Sequence, residues 1–146
     1  MCEPEANKKK PANSYDAKFS VHYTMAASIV RGRFTLDELE DDALNDPTIL
    51  GLCEKARYEI DPTSPFPRYY GGEVIVRTKD GRELRHREQH NRGSDKNPLS
   101  TDDILAKFRD NAGRVFDTAR ADRVIDAVMG LDTAPDLTEL AVALAR

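Results

Sequence analysis

Residues 16–32 read Asp-Ala-Lys-Phe-Ser-Val-His-Tyr-Thr-Met-Ala-Ala-Ser-Ile-Val-Arg-Gly, the longest stretch of the chain that can bury one continuous face. Phe19, Tyr23, Ala26 and then Ile29 or Val30 recur at steps of about three to four residues, which places them on one side of an α-helix. The small pair Ala26-Ala27 lets a second element pack closely against that side. Gly32, just past the last apolar residue, predicts the helix C-terminus, because glycine turns the chain left-handed with no Cβ penalty. Within the predicted helix, His22 and Tyr23 each combine an apolar body with a polar tip. Chemistry is expected there first.

Upstream, residues 1–14 hold Pro4, Pro11 and Lys8-Lys9-Lys10 without periodicity, so they read as a flexible linker or edge segment whose lysines are solvated. Downstream, Thr35-Leu36-Asp37-Glu38 has the capping-box pattern and predicts a short acidic helix to about Asp42. Asp46-Pro47 starts another helix, with Asp as N-cap and Pro at the first helical position. Its buried stripe is Ile49, Leu52, Cys53 and Ala56, which makes Cys53 a small core residue rather than a nucleophile. Arg57 to Ile60 alternates like a strand.

Residues 61–72 contain Pro62, Pro65, Pro67 and Gly71-Gly72 and predict an irregular loop, made aromatic by Phe66, Tyr69 and Tyr70. Glu73 to Thr78 and Arg82 to Glu88 alternate around Lys79-Asp80-Gly81, a hairpin signal, and this hairpin is expected to pack on the helix at 16–32. Ser100 with Asp103 opens a helix that turns Ile104, Leu105, Phe108 and Ala112 inward. Two more are predicted, from about 119 to 131 with Val124, Ile125 and Val128 inward, and from 135 to 145 with Leu137, Leu140, Val142 and Leu144 inward. Strands framed by helices, with a hairpin instead of βαβ alternation, predict an α+β fold with a mainly antiparallel sheet.

A chain of 146 residues has the length of one domain, yet 39% of it is hydrophobic, 33% is charged and Trp is absent, so the core should be thin. A domain that leans on a larger partner has this balance, and so does a polar monomer. The net charge of −4 argues against an electrostatic grip on nucleic acid or on an acidic membrane. Cys2 and Cys53 lack metal-ligand spacing and imply no disulfide framework, which fits a reducing cytoplasm. No apolar run approaches the ~18 residues that span a bilayer, and no signal-peptide core follows Met1; a soluble, cytoplasmic protein is expected.

His86 and His90 are four apart at the end of a predicted strand, where such residues do not converge, so no metal site is expected. Ser20 and Ser100 stand at helix starts without a glycine elbow, and no Gly-rich nucleotide motif is present. No cofactor is expected.

The run Ala17-Lys18-Phe19-Ser20-Val21-His22-Tyr23 resembles the A-K-F-S-L-P-Y signature of the MmgE/PrpD family, which includes 2-methylcitrate dehydratases, cis-aconitate decarboxylases and iminodisuccinate epimerases. The likeness continues through Asn45-Asp46-Pro47, Lys79-Asp80-Gly81, Asn97-Pro98-Leu99-Ser100 and Lys107-Phe108. It implies that residues 15–146 are the later part of the family's smaller α+β lid domain, without the large helical domain. The first strand and helix of the lid should then precede Met1, which would be an internal start in a longer ancestral gene. The resemblance makes Tyr23 the candidate catalytic residue, because the matching tyrosine lines the cleft between lid and helical domain. A phenol there can hydrogen-bond a substrate carboxylate or relay a proton. Ser20 of the same signature is a candidate for substrate binding. His22 stands where the family commonly has Pro; no role transfers to it, and a surface position is expected, although its nearness to Tyr23 keeps it a candidate.

The family's principal acid/base groups lie in the helical domain and near the start of the lid, outside these 146 residues. The implied function is the lid of a lyase or isomerase for a small polycarboxylate, inactive alone, with a helical domain as partner and a homodimer as a further assembly. The alternative is a non-catalytic module whose lid face serves oligomerisation or partner binding. In either case aromatic surface around Tyr23, Phe66, Tyr69 and Tyr70 is expected to be exposed or covered by another chain.

Overall fold

In the computed structural model, which describes residues 1–145, the chain opens with a short helix, Glu5–Lys9 (α1), inside the segment expected to be a linker. Nothing periodic announces it, because its anchors are tertiary: the Ser20 hydroxyl donates to the Lys8 carbonyl, and the Val21 N–H donates to the Met1 carbonyl at 3.2 Å. The stretch predicted as one helix is two, Ser14–Lys18 (α2) and Val21–Arg31 (α3). Ser20 divides them. Its backbone is extended, and its hydroxyl accepts the Tyr23 N–H at 3.0 Å, an N-cap that restarts the helix in a new phase. Phe19 therefore turns outward onto Tyr15, with ring centroids 5.0 Å apart, instead of joining the Tyr23 stripe. The C-terminus is where the sequence puts it: Gly32 has φ 73° and its N–H donates to the Ser28 carbonyl at 2.9 Å.

The chain divides into two compact units, Met1–Ile60 and Asp61–Arg146. In the first, α3 is followed by a 3₁₀ turn at Asp37–Leu39, by Asp41–Leu44 (α4) and by Pro47–Cys53 (α5). Asp46 caps α5 as predicted, accepting from the Thr48 N–H at 2.8 Å and pairing with Arg31 at 3.1 Å. The core joins Tyr23, Ala26 and Ala27 of α3 to Leu39, Ala43, Leu44, Ile49 and Cys53, with Val30, Phe34 and Leu52 at its margin. Of the predicted alternatives at the end of the stripe, Val30 packs and Ile29 is exposed. The alanines bring α3 and α5 close, but they also keep the core thin, so Tyr23 and Ile49 carry much of its burial. Residues 57–60, predicted as a strand, are irregular: they have no ladder partner among the described residues, and Ile60 is 89% exposed.

The second unit holds the hairpin, Gly72–Arg77 (β1) and Glu83–Glu88 (β2), paired antiparallel with Val74 opposite His86 and Val76 opposite Leu84. Gly81, at φ 84°, makes the tight turn beside Asp80. The hairpin was expected to bury a face on the helix at 16–32; that helix belongs to the other unit, and Val74, Ile75 and Leu84 are exposed. One face has a physical reason to stay in water, since Glu73, Arg77, Glu83, Arg85 and Arg87 alternate there and pair across the strands, Arg77 with Glu83 at 2.9 Å. Gly71, just before β1, has the Gln89 and Glu88 carbonyl oxygens 2.7 and 2.9 Å from where a Cβ would sit. Gly71→Ala should therefore lower the urea midpoint, by about 1–3 kcal/mol in unfolding free energy. Gly72→Ala, whose Cβ meets nothing within 4 Å, should cost less; equal losses at the two glycines would contradict the close approach.

Three helices complete this unit: Thr101–Ala112 (α6), Thr118–Met129 (α7) and, after a 3₁₀ turn at Leu131–Thr133, Thr138–Leu144 (α8). Ser100 and Asp103 form the predicted capping box reciprocally, each N–H reaching the other's side chain at 3.1 Å. Ser100→Ala should cost about 1 kcal/mol, read as a lower urea midpoint. Ala112, Ala121, Val124, Ile125 and Ala143 are buried, whereas Ile104, Val128, Leu137, Val142 and Leu144, predicted inward, are exposed. Eight α-helices among the described residues, with a two-stranded antiparallel sheet, give the α+β class read from the sequence. Among the described residues, no helix is long and apolar enough to cross a membrane.

Candidate functional site

The three candidate residues meet at the start of α3, and all three are buried. Ser20 is fixed by its capping role: its hydroxyl accepts from the Tyr23 N–H and donates to the Lys8 carbonyl, so it has no hydrogen left for a ligand. Substrate binding by Ser20 would need that contact to Lys8 to open.

One turn into the helix, Tyr23 is completely buried and its hydroxyl donates to the Glu38 carbonyl at 2.7 Å. Its ring meets Phe34 edge-on, with centroids 6.3 Å apart. Burial, then the neighbouring Cys53 thiol and Glu38 carboxylate, push the phenol up to about 12. At neutral pH it is therefore a proton-bearing group and not a base. It was expected to line an open face; instead, its hydrogen is committed to a backbone carbonyl.

Glu38 is the residue that sequence reasoning did not place in this site. The capping-box pattern announces its reach back to Thr35, accepting the N–H at 2.7 Å and the hydroxyl at 3.0 Å, with Arg33 Nε at 3.4 Å. What that pattern does not show is that the same residue's carbonyl receives Tyr23. Burial raises the Glu38 carboxyl, but the donors from Thr35 and Arg33 outweigh it and hold the group below its ordinary value.

His22 was expected at the surface and is 1% exposed. The cover is α1, which tertiary packing brings over the start of α3. Tyr58 meets the imidazole edge-on at 6.1 Å between centroids, and Glu5 Oε1 lies 3.9 Å from Nε2. Among the described residues, neither ring nitrogen has a hydrogen-bond partner. Burial, the larger influence, pushes the group below its ordinary value; Glu5 opposes this, while Lys9 and Arg57 add to it.

The other chemical candidates resolve more simply. Cys53 is fully buried, and burial pushes its thiol up to about 11, as suits an unreactive core residue. His86 contacts Glu88 at 2.9 Å, while His90 meets Tyr69 edge-on at 4.6 Å between centroids, so the two imidazoles have separate partners. Phe66 and Tyr70 of the predicted aromatic loop pack on each other at 5.5 Å and are 63% and 69% exposed.

A sequence model described as the MmgE/PrpD C-terminal domain matches residues 4–133. The chain belongs to the MmgE/PrpD family. Within it, the chain is similar to a cis-aconitate decarboxylase of Mus musculus, 28% identical over 136 residues that cover 92% of this chain and 28% of that protein. A cis-aconitate decarboxylase of Aspergillus terreus is 28% identical over 138 residues, 90% of this chain and 28% of that protein. A mitochondrial 2-methylcitrate dehydratase of Yarrowia lipolytica is 32% identical over 82 residues, 51% of this chain and 16% of that protein. The chain thus spans about 28% of the length of the cis-aconitate decarboxylases it matches. The MmgE/PrpD match begins at Pro4, the residue before α1, so it takes in both α1 and the Ala17–Tyr23 signature.

Proposed function

We propose that this MmgE/PrpD C-terminal domain forms the lid half of a lyase or isomerase site for a small polycarboxylate, working in the cytoplasm with a helical domain. The observation that carries the proposal is similarity to cis-aconitate decarboxylases over 92% of the chain, with Tyr23 inside the family signature. Expelling carbon dioxide or water beside a carboxylate, or inverting such a carbon, needs a positioned base and donors for the developing charge. Tyr23 suits the second role, since its phenol keeps its proton far above neutral pH. To reach a substrate it must leave the Glu38 carbonyl, which docking against a helical domain would have to bring about. Alone, the 146 residues are expected to turn nothing over.

The test is an assay of the pure chain with cis-aconitate, 2-methylcitrate and iminodisuccinate, repeated after adding a helical domain of the family. Turnover is expected in the pair only, and Tyr23→Phe should lower the pair's rate by about 10²–10⁴ if the phenol transfers a proton. Turnover by the pure chain would overturn the reading. A second reading, a partner-binding module without catalysis, is favoured by the commitment of the Tyr23 hydroxyl and by the exposed Phe66 and Tyr70. A tight but inactive pair, or a homodimer with no affinity for a helical domain, would select it.

A further inference from the structure

We propose that residues 1–10 form an acid-released cover over the start of α3, with protonation of His22 as the trigger. The proposal concerns this chain's own conformation and does not depend on the reaction proposed above. It begins from an imbalance. His22 is a polar ring enclosed almost completely, yet neither nitrogen has a hydrogen-bond partner among the described residues, a state that buried polar groups rarely hold. A neutral imidazole tolerates the enclosure through its edge-on contact with Tyr58; an imidazolium, with two N–H donors and a full charge, does not.

The groups around the ring offer a protonated His22 little relief. From α1, Glu5 is the nearest carboxylate, but at 3.9 Å it is beyond hydrogen-bonding distance and already pairs with Lys9 at 2.7 Å. Lys9 itself and Arg57, in the segment after α5, repel a cation at this position. Glu3 attracts it more weakly and is engaged by the Tyr58 hydroxyl. Of the other elements against α3, α2 carries Asp16 and Lys18, and α5 ends at Cys53 with Glu54 beyond.

The cover is the part that can yield. With five residues, α1 is far shorter than a helix that stands alone in water, and none of its residues is buried. It is held by polar contacts: Met1 carbonyl with the Val21 N–H, Lys8 carbonyl with the Ser20 hydroxyl, and Glu3 with Tyr58. Such segments open locally while the core stays folded. Lifting α1 hydrates His22, frees the Ser20 hydroxyl and leaves the Tyr23–Ile49 core in place.

The experiment is residue-resolved hydrogen exchange on the whole chain from pH 8 to pH 5, corrected for intrinsic rates, with the His22 ring C–H signals followed by NMR. One proton can change an opening equilibrium at most about tenfold per pH unit. The expected result is roughly a tenfold loss of protection at Val21, Lys8 and Lys10, whose N–H groups donate to the Met1, Pro4 and Ala6 carbonyls, over the acid range, with Ala26 and Ala27 unchanged. Its midpoint should coincide with the His22 titration. His22→Phe keeps the ring contact and removes the titration, so its cover should stay closed at pH 5. Acid that tightens α1, an acid response that survives in His22→Phe, or a loss spread evenly through the α3 core would each overturn the proposal. If His22→Phe does not fold, an exchange midpoint in the native chain that departs from the His22 titration does the same.

Discussion

Tyr23→Ala is expected to unfold most of the first unit at 25 °C. Removing a buried aromatic side chain costs about 3–5 kcal/mol, and a unit of this size has only about 3–9 kcal/mol in total. Tyr23 has neighbours on α3 that are alanines, which cannot move in to fill the space. The change also strips the Glu38 carbonyl of its donor. Tyr23→Phe separates the two contributions: the ring remains, and the lost hydrogen bond should cost about 1–2 kcal/mol. Urea unfolding followed by circular dichroism measures both, and a Tyr23→Ala variant within 1 kcal/mol of the parent would contradict this account of the core. The alkaline limb offers an independent check. The folded phenol titrates at about 12 and an unfolded tyrosine near 10, so this contribution is complete below about pH 10 and is lost as pH rises through the folded value. The Phe variant should lack that part of the alkaline loss.

Glu38→Ala should be the second most damaging change, at about 3 kcal/mol, because it leaves the Thr35 N–H, the Thr35 hydroxyl and Arg33 without their shared acceptor. The segment that carries Tyr23's carbonyl partner would then lose its own anchor, so the two sites should be non-additive in a double-mutant cycle. Strict additivity would show that they are independent. The acid limb tests the charge itself. The Glu38 carboxyl is held below its ordinary value, so its contribution is present above the unfolded value of about 4.3 and disappears as pH falls through the folded one. Asp46, Asp61, Asp80 and Asp103 are depressed too, so the informative quantity is the difference between parent and Glu38→Gln. That difference should shrink between about pH 5 and pH 3; a constant difference would mean that the charge contributes nothing.

Local chemistry was legible along the chain. Gly32, Asp46-Pro47, Asp80-Gly81 and Ser100 with Asp103 mark their elements within the sequence because each satisfies or turns backbone groups only a few residues away. The α+β class and the MmgE/PrpD family followed from such signals and from the Ala17–Tyr23 signature. The Ser20 helix start lay in that same signature, yet the apolar spacing from Phe19 to Tyr23 joined α2 and α3 into one helix in a reading by periodicity.

Only the tertiary structure decided what the candidate residues face. His22 became buried because α1, a helix with no apolar stripe, lies over it; Tyr23 became a core hydrogen-bond donor because a turn fifteen residues later presents the Glu38 carbonyl. Arg57 to Ile60 alternates like a strand but found no edge, and the apolar positions of α8 found little to cover them. A sequence determines which backbone groups can be satisfied locally. Burial is a property of the space between segments distant in the chain: periodicity put Tyr23 on the buried stripe, but only that space enclosed His22 and gave the Tyr23 phenol a backbone partner.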